Sequence, residues 1–171
     1  MEEQVSTARI ALKYGVLTSV VIMIFTTIIN VSGLAENKML SSLSFIFMIV
    51  GIVLAMKDFK RQNRGYISFG EGLGVGTLAS AVMGVLSAAF SMFYTEFIDN
   101  TMLAQAMDKV REDMERKGKD DAEIDMAMEL SQKFMSPGIM FTMTVVLYVI
   151  TGLVIALIVA AIIRREKPVF E

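Results

Sequence analysis

The sequence predicts an all-α membrane protein: four transmembrane helices, with an amphipathic helical hairpin inserted between helices three and four. Three observations carry this. Apolar residues make up 54% of the 171 residues, with a mean hydropathy of +0.58, whereas soluble chains sit at about 45–50% on a count that already includes glycine. Charged residues are 20% of the chain and bunch between long uncharged runs instead of alternating with apolar positions, as the segments between membrane spans do. The one sizeable polar stretch, residues 96–135, repeats apolar residues at helical spacing.

The first span, about residues 12–35, reads YGVLTSVVIMIFTTIINVSGLA between Lys13 and Glu36, roughly 30 Å of helix and so one hydrocarbon thickness. That run is too long for the core of a signal peptide, although GLA before Glu36 faintly resembles a cleavage site, so an uncleaved anchor is expected. The second and shortest span, about 39–56, follows a turn of a few residues around Gly33 to Lys38, which makes the first two spans a tight antiparallel pair. The third covers about 72–95, GLGVGTLASAVMGVLSAAFSMFYT. The fourth covers 137–163, with Ser136 and Pro137 suited to the cap and first turn, and it ends against Arg164 and Arg165, whose charges complement a helix C-terminus.

The extramembrane insert, 96–135, places Leu103, Met107, Val110 and Met114 at i, i+4, i+7 and i+11, one face of an amphipathic helix. RKGKDD breaks the pattern: Gly118 is placed as a helix stop and Asp120 or Asp121 as the next N-cap. Ile124, Met128, Ser131 and Met135 continue an apolar-leaning face on a second arm that can run into span four. The methionine-rich stripe either adapts to a partner or, as the simpler reading, closes the two arms on each other.

Lys57, Lys60, Arg61 and Arg64 fill the connection between spans two and three, Arg9 and Lys13 precede span one, and Arg164, Arg165 and Lys167 follow span four. An even number of spans puts both termini and this connection on one side, cytoplasmic by the positive-inside rule. The insert has Lys and Arg of its own, which weakens the bias; its acids count for little under that rule.

RQNRGYISFGEGLGVG, a basic loop with an ISFGE-type entry into span three, and KFMSPGIMF before span four resemble a bacterial membrane family, the domain-of-unknown-function 4199 family. The resemblance runs from KYG in span one to the arginines after span four. It implies a four-helix integral protein of the bacterial cytoplasmic membrane and carries no activity, ligand or catalytic residue with it.

Chemistry is bounded by what is missing. The chain has no His, Cys or Trp, which removes thiolate nucleophiles, disulfides, imidazole bases and most zinc sites. The zero cysteine count leaves the redox compartment unconstrained. A net charge of -2 with a pI near 5.3 leaves no footprint for nucleic acid.

The sharpest pattern is a row of small residues down span three, Gly72, Gly76, Ser80, Gly84 and Ala88, at the spacing that lets another helix backbone approach closely. Four spans of one chain need such faces for their own bundle, so internal packing is preferred over a homo-oligomer seam. Gly70, Gly72, Gly74 and Gly76 lack the spacing and preceding strand of a phosphate-cradling loop. Glu71, the acid abutting a span, is the candidate functional ionisable group; its plainer role is to cap a helix N-terminus. The uncharged runs themselves hold no acid or base, which disfavours charged-substrate transport. Asn30 with Thr26 and Thr27, and Thr142, Thr144, Tyr148 and Thr151, form polar patches that interhelical or i−4 hydrogen bonds explain without a polar pathway. The insert's acids, DDAEID among them, do not form a cation-binding loop.

The expectation is therefore a non-enzymatic scaffold or interaction protein that works through its extracytoplasmic hairpin. Its partners are the lipid bilayer and, at the hairpin, a protein, with a homo-oligomer left open; no cofactor, metal or nucleic acid is expected. A small transporter or channel subunit, with a path lined by Glu71 and the polar patches, is the alternative.

Overall fold

The computed structural model describes residues 5–34, 37–99 and 101–166, without the side chains of Lys38 and Ser41. Ala35 and Glu36 of the first turn and Lys167 of the C-terminal basic group lie outside these. The described residues are all-helical: α1 (Thr7–Val31), α2 (Lys38–Gln62), α3 (Phe69–Phe97), α4 (Met102–Arg116), α5 (Asp121–Phe134) and α6 (Pro137–Ile163). Four of them, α1, α2, α3 and α6, are long and apolar enough to cross a membrane. The extended contact among the described residues is one antiparallel bridge, Ile67 with Arg165.

Helix bounds differ from the predicted spans in an instructive way. α1 starts at Thr7, capped by Ser6, whose hydroxyl accepts from Arg9 N, and ends in a Schellman turn. There Gly33 takes φ +68°, its N–H donates to Asn30 O, and Leu34 N donates to Ile29 O. α2 runs on to Gln62, so Lys57, Lys60 and Arg61 ride on its last turns and do not fill a loop. Loss of hydropathy marks where lipid ends, whereas Lys, Arg and Gln are good helix formers that prolong the backbone ladder. The helix stops only at Asn63, with Arg64 at φ 55° and Gly65 at φ 86°.

Contacts divide the chain into two compact units. In the first, residues 1–87 with 145–171, α1 and α2 pack antiparallel. Lys13 meets Asp58, Thr18 lies against Gly51, and Phe25 sets its edge on Phe47 with ring centroids 5.0 Å apart. α1 runs alongside α3 in the same sense: Gly15 faces Val82 and the Ala79 carbonyl, and Thr7 approaches Gly74. Ile52, Met56, Val75, Ala79 and Met83 are fully buried at the centre. The outward faces are also apolar, with Leu12, Leu17 and Ile24 of α1 and Leu147, Ile150 and Ile158 of α6 about half exposed. Apolar side chains inside and out are what a lipid solvent requires.

The second unit, residues 88–144, holds the end of α3, α4, α5 and the start of α6. α4 ends in another Schellman turn: Gly118 has φ +69°, its N–H donates to Glu115 O, and Lys119 N donates to Met114 O. Asp120 caps α5, its carboxylate accepting from Glu123 N at 2.8 Å. α4 and α5 pack on one another. The second arm does not run into α6: α5 closes at Phe134, and the chain turns through Met135 and Ser136 before Pro137, because proline at the first position of α6 offers no N–H to continue the ladder.

Candidate functional site

The richest polar chemistry in the first unit gathers at one end, where α2 finishes and α3 begins. Asp58, one turn before the end of α2, has only 3% of its side chain exposed; its Oδ2 accepts from Lys13 Nζ at 3.0 Å and its Oδ1 from Arg61 at 2.8 Å. Lys13 also lies over the Tyr14 ring, 4.9 Å from its centroid. A buried carboxylate needs such donors, since an unpaired one is costly to hold in a low-dielectric setting. The ammonium of Lys60 donates to Ile163 O at 2.7 Å, satisfying a carbonyl at the α6 C-terminus and complementing its dipole. Beyond it, Ile67 N donates to Arg165 O (2.9 Å) and Arg165 N to Ile67 O (2.8 Å). The Arg165 guanidinium stacks over Tyr66 at 5.5 Å.

Glu71 stands beside this clamp. Its carboxylate accepts from Ser68 N at 2.7 Å while Ser68 Oγ accepts from Glu71 N at 3.2 Å, a reciprocal capping box at the start of α3. An open cleft of about 320 Å³ is lined by Asn63, Tyr66, Ser68, Glu71, Arg165 and Glu166. Several of its wall groups are engaged with one another: Asn63 Nδ2 donates to Tyr66 O at 3.1 Å, and Glu71 and Ser68 cap each other.

The small-residue row of α3 faces a second one. A Cβ on Gly72 would stand 2.9 Å from Ala160 Cβ, one on Gly76 2.6 Å from Ala156 Cβ, and one on Gly84 2.8 Å from Tyr148 Cβ; Ser80 fills the space against Gly152. The partners on α6 thus descend by four residues as those on α3 rise by four. Gly152, Ala156 and Ala160 form a row of their own, visible in the sequence at the same spacing but hidden in a uniformly apolar helix. Ala88, the last member of the α3 row, is buried within the second unit.

In the second unit Leu103 lines a recess of about 90 Å³ with Met92, Thr95 and Glu96 of α3 and Pro137, Met140 and Phe141 of α6. Met107, Val110 and Met114 are half-buried, and no residue of α4 is fully buried. Charges of this unit pair locally along the chain: Arg116 with Glu112 (3.0 Å) on α4, Lys133 with Glu129 (2.8 Å) on α5, and Lys119 of the intervening turn with Glu123 (3.1 Å). Thr27 Oγ1 donates to Met23 O and Thr142 Oγ1 to Gly138 O, as i−4 bonding of the span hydroxyls predicts.

Asp58 is the residue that sequence reasoning missed. Standing among Lys57, Lys60 and Arg61, it reads as one acid in a basic connection, and only the position of Lys13 one helix away shows why it is there.

No curated protein and no solved structure matches the chain. The family described as Protein of unknown function (DUF4199) matches residues 13–165, from the lysine that holds Asp58 to the arginine that closes the α6 clamp. With most of its length matched, the chain belongs to the DUF4199 family.

Proposed function

We propose that this protein is a non-enzymatic scaffold or interaction protein of the bacterial cytoplasmic membrane, with both termini inside and α4 and α5 forming an extracytoplasmic hairpin that engages a partner protein. The observation carrying the reading is that α4 and α5 hold almost no core of their own: α4 has no buried residue and α5 has Ile124. Most of their side chains are exposed or half-buried, which leaves the pair a surface open to a partner. The basic residues at the α2 end and after α6 support the orientation. Ser19, Thr27, Ser80 and Thr142 each donate to a backbone carbonyl three or four residues earlier, which accounts for these hydroxyls without a polar path.

A small transporter or channel subunit is the second reading. On its side stand Thr77 Oγ1 and Ser87 Oγ, buried on α3 without a hydrogen-bond partner. Affinity purification of the tagged protein from membranes separates the two. A partner that co-purifies reproducibly, and is lost when the α4–α5 surface charges are reversed, supports the interaction role. A lone oligomer that moves solute in liposomes overturns it in favour of transport.

A further inference from the structure

α5 carries a stripe that neither the packing nor the interaction role accounts for. Met126, Leu130 and Phe134, at i, i+4 and i+8, are 68%, 50% and 56% exposed. At about 100° per residue, Asp121, Asp125 and Glu129 form a parallel row centred roughly 140° round the helix from the stripe. The third side, with Ile124 buried and Met128 and Ser131 half-buried, is the one occupied by packing. α5 therefore has one packed face, one acidic face and one large apolar face left open. Glu123 lies on the line of that open face, one turn before Met126 at the end farthest from α6, and is paired with Lys119.

We propose that the Met126, Leu130 and Phe134 face of α5 lies in the headgroup layer of the bilayer, so that α5 runs along the membrane surface with its acidic row in water. Continuity of the chain argues for lipid as the occupant. Two residues separate Phe134 from Pro137, the start of the most apolar of the candidate spans, whose first turns also expose apolar side chains, Ile139 and Met143. Area argues against a protein on this stripe: three partly exposed side chains fall well short of the about 800 Å² per partner of a stable complex. The apolar face with acids opposite fits a zwitterionic surface, reached through burial and not through charge. This rests on the membrane reading above but not on the partner-binding role.

The chain contains no tryptophan, so single tryptophans report without background. Met126 precedes Pro137 by eleven residues, about 16 Å of helix, and reaches lipid only if α5 lies flat. Met126→Trp, Leu130→Trp, Asp125→Trp and Leu147→Trp are made in the full chain and reconstituted in phosphatidylcholine vesicles with bromines on the acyl chains near the glycerol. The proposal expects Met126→Trp and Leu130→Trp to emit to the blue of Asp125→Trp, to be quenched severalfold by lipid bromine, and to be shielded from aqueous acrylamide; Asp125→Trp shows the reverse. If Met126→Trp and Leu130→Trp quench with acrylamide like Asp125→Trp, or are shielded from both quenchers because protein covers them, the proposal is overturned. Leu147→Trp, on the outward face of α6, keeps the failures apart: its own insensitivity to lipid bromine would instead overturn the membrane reading.

Discussion

Gly84→Ile tests the close approach of α3 and α6. A Cβ at Gly84 would stand 2.8 Å from Tyr148 Cβ and 3.3 Å from both Cα and O of Val145, whereas carbon atoms rest at about 3.5–4.0 Å. The methyl alone requires the helices to part by about 0.7–1.2 Å, and the further carbons of isoleucine require more. That gap cannot stay local in a rigid helix, so it opens at Gly76 and Gly72 too. A gap of about 0.5–1 Å forfeits a quarter to a half of the dispersion energy at each contact. Overpacking of this kind costs about 3 kcal/mol, or roughly 6–12 °C in thermal midpoint at this chain length. Val85, one position round the helix, is 44% exposed, and Val85→Ile adds a methylene on the outside, with a change within about 0.5 kcal/mol. Thermal unfolding of the detergent-solubilised protein, followed by size-exclusion chromatography, reads both. Equal midpoints for Gly84→Ile, Val85→Ile and the parent would refute the contact. So would an unchanged monomer midpoint with loss only of a cross-linked oligomer, which would make the row a seam between copies.

Asp58→Ala is expected to lower the midpoint by several degrees, and Lys13→Ala added to it to change little more; midpoint losses that simply add would show that the pair is not coupled. A cysteine at Lys117, chosen over Gly118 because of that residue's φ of +69°, should react with impermeant maleimide on intact spheroplasts, while one at Asn63 reacts only after permeabilisation; the opposite pattern reverses the orientation. A peptide of residues 96–133 should be weakly helical in water by circular dichroism, since short helices are marginal without packing; a cooperative melt would make it an independent domain.

What could be read from the sequence follows from how each signal is encoded. Hydropathy finds the four long helices because lipid demands uninterrupted apolar runs, and it misplaces their ends because helix ends are set by backbone bonds at Ser6, Gly33 and Gly65 and not by polarity. Glycine and serine stand out in α3, so its row is legible. The matching row of α6 is not, because Gly152, Ala156 and Ala160 carry little contrast in the most apolar of the candidate spans. Glu71 could be recognised as a cap from its place three residues after Ser68. Asp58 could not, since its partner Lys13 is 45 residues away and only the antiparallel register of α1 and α2 brings them together.

The two small-residue rows explain close approach but not register. Sliding α6 by four residues, about 6 Å, would set Gly76 against Ala160, Ser80 against Ala156 and Gly84 against Gly152, small on small at these three pairs. Four-residue rows are therefore degenerate under a one-turn slip, and dispersion alone discriminates weakly between the two alignments. The discrimination comes from the polar end of the same unit. The Lys60 ammonium on Ile163 O and the paired bonds between Ile67 and Arg165 each reach about 3 Å, and a slip of 6 Å breaks all of them at once. In the first unit, then, small residues set how near α3 and α6 come, and the clamp after α2 sets which turn of one meets which turn of the other. The acid that neutralises the basic end of α2 belongs to that same arrangement: Asp58 ties α1 to the helix whose lysine, two residues on, holds α6.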